Sequence, residues 1–318
     1  MATIRNLFCT AQVASTLGDE IRALVPGIEL IELHDDTPVS ESEIARIDAA
    51  FFSADAYPER APAFMSVCLS APNLQWLHSY SAGTDHAVFT MMAERGVMIT
   101  NSPGASAAPI AETVMMYLLA LTRRLPEWFD AQRDRVWSPH QITELARARL
   151  VVVGMGPIGL EVIARAQAFS MDVIGVRRTI AGDEPCPTRR IGDLAEVIAD
   201  ADAVVSALPL TDETRNLFDR AMLSAMAPGT LFVNVGRGES VDEGALVDLL
   251  ESGHLGGAAL DVFATEPLEP SSPLWSLPNV IITPHSSGAS TTTGRRAAEI
   301  FIDLLGRVMA GEELDRAR

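Results

Sequence analysis

The chain has 318 residues, 48% of them hydrophobic, and a formal net charge of −18. That length supports two domains with sizeable cores rather than one, and a negative field of that size excludes nucleic acid and anionic membrane surfaces as principal partners, because both repel it. All 24 basic residues are Arg, which excludes Lys Schiff-base chemistry and the Lys of a phosphate-binding P-loop.

The N-terminal run through Leu7, Phe8 and Cys9 is short and interrupted by charge, so it reads as a first strand rather than a secretory signal. Cys9, Cys68 and Cys186 are odd in number and widely spaced, without the paired spacing of a zinc site or a disulfide framework. No metal is expected, and a reducing cytoplasm is the expected location. Apolar runs at 28–33, 49–53, 74–78, 150–153, 172–176, 203–207, 231–235, 258–261 and 280–283 alternate with segments of helical period. Such alternation predicts parallel α/β sheets.

Asn101-Ser-Pro-Gly-Ala-Ser106 interrupts this pattern just before a helical segment at 110–124, and is the predicted hinge. The chain is therefore divided into a first domain, 1–102 plus 287–318, and a second, 103–286, with the last predicted helix, 293–309, packing back on the first. The helix at 110–124 carries Met and Leu at helical spacing, which suits core or subunit packing. Its apolar stretch, 114–121, falls well below the roughly 20 residues that span a bilayer, so no membrane anchor is expected. Prolines at 267, 270, 273, 278 and 284 make the segment before His285 a loop with one short strand.

Val153-Gly154-Met155-Gly156-Pro157-Ile158-Gly159 has the GxGxxG spacing, follows an apolar run and opens a helical one. Glycines there permit a tight turn and close approach of a pyrophosphate, whose charge sits at a helix N-terminus. With another strand following at 171–176, this predicts a dinucleotide site. The end of that strand, where an acid would accept from an adenosine ribose 2′-OH, carries Arg177 and Arg178 instead. Arg favours a 2′-phosphate, so NADP is expected over NAD; a solvated surface pair is the alternative.

Farther on, Arg237 lies between Gly236 and Gly238, Glu266 precedes Pro267 and His285 follows Pro284. An Arg that forks onto a carboxylate, a Glu that pairs with an imidazole and a His that moves a proton are the parts needed to reduce a 2-keto acid. His34, His140 and His254 lack such partners in sequence and read as hydrogen-bonded loop residues.

Ser81-Ala-Gly-Thr-Asp-His86, Asn101-Ser-Pro-Gly with Ala111-Glu112, the GxGxxG turn, Leu208-Pro-Leu-Thr-Asp-Glu-Thr-Arg215, Phe232-Val-Asn-Val-Gly-Arg-Gly238, Ala259-Leu-Asp-Val-Phe-Ala-Thr-Glu-Pro267 and Pro278-Asn-Val-Ile-Ile-Thr-Pro-His285 recur in one order. Over nearly its whole length the chain resembles the D-isomer-specific 2-hydroxyacid dehydrogenases. Through its Arg pair it resembles the NADPH-preferring glyoxylate/hydroxypyruvate reductases among them.

The resemblance implies a homodimer, a Rossmann-type cofactor domain inserted into a flavodoxin-like substrate domain, and an active site in the cleft. It makes His285 the acid/base, Glu266 its partner and Arg237 the residue that orients the keto acid. Amides around Ala82 and Gly83 then hold the substrate carboxylate. Pro209, Thr211, Val235 and Gly236 border the cofactor, with Asp261 near the nicotinamide amide; alternatively Asp261 satisfies backbone groups at a strand end.

Side-chain specificity falls to residues around 52–57 and 79–85 and to Trp275, or to a partner-subunit residue such as Trp137, for which core or interface packing is the alternative. Glu266 separates the chain from formate dehydrogenases, which look different in carrying Gln there, and the absence of Lys separates it from the related phosphite dehydrogenases. A dinucleotide-sensing binding protein, similar to the corepressors that share this architecture, is the competing reading. It is weakened by the lack of long disordered tails carrying partner motifs.

Overall fold

The computed structural model describes residues 4–84 and 86–314, so Asp85 of the Ser81 to His86 motif lies outside the described residues. The chain divides into two compact units, 1–106 with 290–318, and 107–289. The second unit is thus an insertion in the first.

The first unit contains β1 (Asn6–Thr10), β2 (Glu29–Leu33), β3 (Ala49–Phe52), β4 (Trp76–Ser79) and β5 (Met98–Asn101). They form a parallel sheet in the order β2-β1-β3-β4-β5, the flavodoxin-like arrangement. The period of two along β4 sends Trp76 to one face, beside Phe51 and Phe301, and Leu77 to the other, beside Phe8 and Phe64. Both faces are buried, as parallel sheets require. The helix Thr293–Met309 covers one of them, with Phe301 stacked on Phe51 at a centroid distance of 4.2 Å. Its buried residues Thr293, Ala297, Phe301 and Leu305 recur at the spacing of one helix face.

The second unit contains β6 (Arg149–Val153), β7 (Asp172–Arg177), β8 (Thr188–Arg190), β9 (Ala203–Ser206), β10 (Leu231–Asn234), β11 (Gly257–Leu260) and β12 (Val280–Ile282). The sheet is parallel throughout, in the order β12-β11-β10-β9-β6-β7-β8. Val151 and Val153 enter one core, Leu150 and Val152 the other, so β6 is buried on both sides. The helix Ala107–Thr122 begins before the predicted 110 because Ala107 and Ile110 already sit on its buried face.

Strands β5 and β8 add to those the apolar runs predicted. β5 pairs with β4, Asn101 opposite Ser79, so the predicted hinge segment opens on the last residue of a strand. β8 has three polar residues at the sheet edge, paired with β7, which leaves it no apolar period to display. Among the described residues no helix is long and apolar enough to cross a membrane. None of their His, Cys, Asp and Glu side chains group as metal ligands.

Candidate active site

Strand order in the second unit reverses between β6 and β9, the crevice at whose carboxyl ends open α/β sheets bind ligands. The glycine turn leaves β6 there. Gly154 has φ +101°, and a methyl group on it would lie 2.7 Å from the carbonyl oxygen of Ala207. One on Gly159 would lie 1.9 Å from the carbonyl oxygen of Gly154, so that glycine lets the helix Pro157–Ala168 close onto the turn. Gly156 has nothing within 4 Å of the equivalent position and is the N-cap of that helix, whose first backbone amides have no side-chain cap. The turn therefore fits a dinucleotide pyrophosphate. Met155 is 6% exposed and packs its sulfur over Gly175, leaving only its backbone to the turn; Ile158 is partly buried against the same core.

The backbone at 207–208 is wedged between this turn and Gly236, where an added methyl would meet the Leu208 carbonyl oxygen at 2.6 Å. Beyond it Pro209 and Thr211 form an exposed turn. Thr214 Oγ1 donates to the Pro209 carbonyl at 2.7 Å, and the Thr211 amide donates back to that hydroxyl at 2.8 Å. Val235 and Gly236 are buried where the chain leaves β10.

Arg237, Glu266 and His285 come from the loops leaving β10, β11 and β12. These strands are neighbours, with Asn234, Leu260 and Ile282 in register at their ends, and adjacent strands run about 4.8 Å apart. Parallel pairing thus gathers residues far apart in sequence to one edge. The Arg237 corner rests directly on the segment carrying Glu266, since a methyl on Gly238 would lie 1.8 Å from the Phe263 carbonyl carbon. Arg237 is half-buried, and its Nη1 donates to the Gly236 carbonyl at 2.8 Å. Its own carbonyl accepts from Asn234 Nδ2 at 3.0 Å and Ser240 Oγ at 2.7 Å, which fixes the corner.

His285 Nδ1 lies 2.8 Å from Glu266 Oε2, while Glu266 Oε1 accepts the Phe263 amide at 3.0 Å. Each carboxylate oxygen thus has a job, and Nε2 is the ring nitrogen turned away from the pair. The His285 side chain is 50% exposed. Its backbone is left-handed, φ +48°, a conformation that costs a side-chain-bearing residue about 1–2 kcal/mol.

Asp261 is what holds that conformation. It is 1% exposed, and its carbonyl accepts the His285 amide at 2.8 Å. Its Oδ1 accepts from Thr283 Oγ1 at 2.5 Å and from the Ser286 amide at 2.9 Å; Oδ2 accepts the Ser287 amide at 3.1 Å and the Ser287 hydroxyl. The carboxylate is therefore enclosed by the loop around His285, as the strand-end reading of this residue anticipates. Because Thr283 spends its proton on Asp261, the buried Tyr117 hydroxyl donates to Thr283. Burial pushes the Tyr117 phenol up to about 12, keeping it a donor. Nothing local in the sequence signals Tyr117 or Thr283 as part of this structure, because their partners lie 166 and 22 residues away.

At the far side of the sheet Arg177 ends β7, one residue beyond Val176, whose carbonyl accepts the Gly154 amide at 2.9 Å. Its Nη1 lies 3.2 Å from Glu184 Oε1. Arg178 is 68% exposed and lies 3.4 Å from the equally open Glu213.

In the first unit Ala82 and Gly83 follow β4. Asn101 Nδ2 donates to the Ala82 carbonyl at 2.6 Å and Ser81 Oγ to that of Gly83 at 2.7 Å. Both carbonyls are thereby fixed, and among the described residues neither amide donates to a protein acceptor. Behind the loop, His78 is fully buried, with Thr100 Oγ1 on Nδ1 and Ser102 Oγ on Nε2, each at 2.8 Å. Burial lowers its pKa to about 3, so the ring is neutral. Trp137 is 95% exposed on the second unit.

Comparison with known proteins agrees with this architecture. Residues 115–287 match the family description "D-isomer specific 2-hydroxyacid dehydrogenase, NAD binding domain". A glyoxylate reductase from Thermofilum pendens is 34% identical over 251 residues, 76% of this chain and 74% of that protein. A D-isomer specific 2-hydroxyacid dehydrogenase family protein from Aeromonas salmonicida superposes with a TM-score of 0.81 at 32% identity, covering 99% of this chain and 98% of the other. An NADPH-dependent glyoxylate/hydroxypyruvate reductase from Sinorhizobium meliloti, solved with NADP and sulfate, gives 0.79 at 29% identity, covering 98% and 97%. Fold, glycine turn and these matches define a dinucleotide-dependent oxidoreductase. The chain belongs to the D-isomer specific 2-hydroxyacid dehydrogenase family.

Proposed function

We propose that the protein reduces small 2-keto acids, glyoxylate or hydroxypyruvate among them, to D-2-hydroxy acids with NADPH. The observation that carries this reading is the His285–Glu266 pair, at 2.8 Å, on the edge that also carries Arg237. Bound NADPH supplies the hydride. The residues around the glycine turn, 154–159, together with Pro209, Thr211, Val235 and Gly236, hold it, and Arg177 and Arg178 receive its 2′-phosphate. Asp261, which holds the loop around His285, would lie near the nicotinamide amide.

Arg237 orients the keto acid by charge and fixed geometry. The amides of Ala82 and Gly83 take the substrate carboxylate, for which they have no competing protein acceptor among the described residues. His285 donates a proton from Nε2 to the carbonyl oxygen as negative charge develops there. Glu266 fixes the ring through Nδ1 and balances its charge while it holds that proton.

The same reading makes the working form a homodimer. Met116, Trp128, Phe129 and Phe169 leave large apolar surface open around the helix Ala107–Thr122. A sedimentation mass of a single chain at micromolar concentration would contradict the dimer.

The reaction is tested by following loss of reduced nicotinamide with NADPH and NADH against glyoxylate, hydroxypyruvate, pyruvate and phenylpyruvate. Consumption of NADPH with the two smallest acids is expected. Binding of the nucleotide without its oxidation by any acid would favour a dinucleotide sensor, and an NADH preference would remove the Arg177 and Arg178 assignment.

A further inference from the structure

The segment between β7 and β8 folds its own anion onto Arg177. Glu184 Oε1 accepts the Ala181 amide at 2.5 Å and lies 3.2 Å from Arg177 Nη1, while Oε2 accepts the Gly182 amide at 2.8 Å. Two successive amides and a guanidinium converge on one carboxylate, whose side chain is only 6% exposed. Gly182, at φ +99°, supplies the left-handed turn that points both amides the same way. The Ala181 amide, ahead of the other contacts, holds the Glu184 carboxyl below its usual range, so the anion persists through neutral pH.

The donors are those a phosphate monoester takes, and the Glu stands one loop away from the glycine turn. We propose that Glu184 is a specificity-determining residue, an internal counter-anion that competes with the cofactor 2′-phosphate for Arg177 and so limits the preference for NADP over NAD. The inference rests on the assignment of Arg177 to that phosphate.

Its physical content is a difference between the two cofactors. A 2′-phosphate carries between one and two negative charges near neutral pH. To reach Arg177 it must displace Glu184 or share the guanidinium with it, and either costs affinity. A 2′-hydroxyl meets no such repulsion, because it can donate to the carboxylate. Among the described residues Arg178 is engaged only by the exposed Glu213, and both side chains stand open to solvent. It therefore supplies phosphate affinity that Glu184 does not cancel. The chain thus has two cations of different availability, one guarded and one open.

Glu184→Gln removes the charge and keeps the size. Dissociation constants for adenosine 2′,5′-bisphosphate and for 5′-AMP, read by calorimetry on the full chain, isolate the 2′-phosphate without relying on turnover. Glu184→Gln is expected to tighten the bisphosphate by about tenfold, as removal of one nearby like charge does, and to leave 5′-AMP within about twofold. The NADPH over NADH ratio of kcat/KM should rise in parallel.

Glu184→Asp, which keeps the charge, serves as the control for loop damage and should retain the wild-type discrimination. Equal shifts for both nucleotides in Glu184→Gln, or none, would overturn the proposal. Arg177→Gln separates the two ideas. If it leaves bisphosphate binding unchanged, the Arg177 assignment itself fails; if it weakens bisphosphate binding while Glu184→Gln changes nothing, only the role of Glu184 fails.

Discussion

His285 and His78 are the same side chain placed in opposite surroundings, one in each unit. His285 is half exposed, held at φ +48°, and bonded through one ring nitrogen to a carboxylate. His78 is fully buried, and both of its nitrogens meet hydroxyls, partners that follow either neutral tautomer and offset no charge. Trp76 donates to Thr100 at 2.8 Å, which leaves the Thr100 proton for the ring. On the proposed mechanism the contrast is that an open face and a compensating anion equip a histidine to donate a proton, whereas burial with neutral partners turns it into a structural strut. Here the strut lies behind the loop of Ala82 and Gly83, since Ser102, its Nε2 partner, also donates its amide to the Ser81 carbonyl at 3.0 Å.

Removing the exposed ring has the largest expected effect. His285→Ala should reduce turnover by roughly 10²–10⁴-fold, the usual contribution of a positioned general acid, while NADPH titration by fluorescence stays within about twofold of wild type. Unchanged turnover would strip His285 of its role and collapse the contrast.

Next comes the support of that ring. Asp261→Asn cannot accept from all the hydroxyls and amides that now converge on the carboxylate, and each buried donor left unpaired costs about 1–3 kcal/mol. Urea unfolding should report a loss in that range, with turnover falling as the His285 loop loosens. A variant as stable as wild type would show that the loop holds itself.

The smallest effect is on the buried ring and appears only with pH. The folded pKa of His78 is lowered by burial to about 3 from 6.5, so below about pH 6.5 the unfolded chain takes up a proton that the folded chain refuses. Stability is lost as pH falls from about 6.5 toward 3, by at most about 1.4 kcal/mol per pH unit. Wild type minus His78→Gln, measured by urea unfolding at pH 7, 6 and 5, should shrink toward acid pH. A difference that stays constant would mean that His78 charges freely in the fold.

The two rings also mark how far sequence carries the account. The Pro284-His285 corner, the Glu266-Pro267 corner and the Gly236-Arg237-Gly238 corner were legible because their signals are local, and the alternation of apolar runs foretold that parallel strands would end at such corners. The glycine turn was legible for the same reason, as a tight turn open to a pyrophosphate, but the separate duties of Gly154, Gly156 and Gly159 appear only in the structure. What was not legible depends on distant partners. Asp261 reads in sequence as an acid near the nicotinamide amide or as one that satisfies backbone groups at a strand end, and only the return of 283–287 over it shows which backbone it holds. Arg177 reads as a bare cation until the turn at 181–182 brings Glu184 back to it. β8 was invisible because an exposed edge strand of three residues has no buried face to impose a pattern.

The most direct test of the central claim is to follow the transferred atom itself. NADPH carrying deuterium at both positions of nicotinamide carbon 4 is mixed with hydroxypyruvate and the wild-type protein, and the product is analysed by chiral separation and mass spectrometry. The account predicts D-glycerate with one deuterium at carbon 2. L-Glycerate, or glycerate without deuterium, would contradict it.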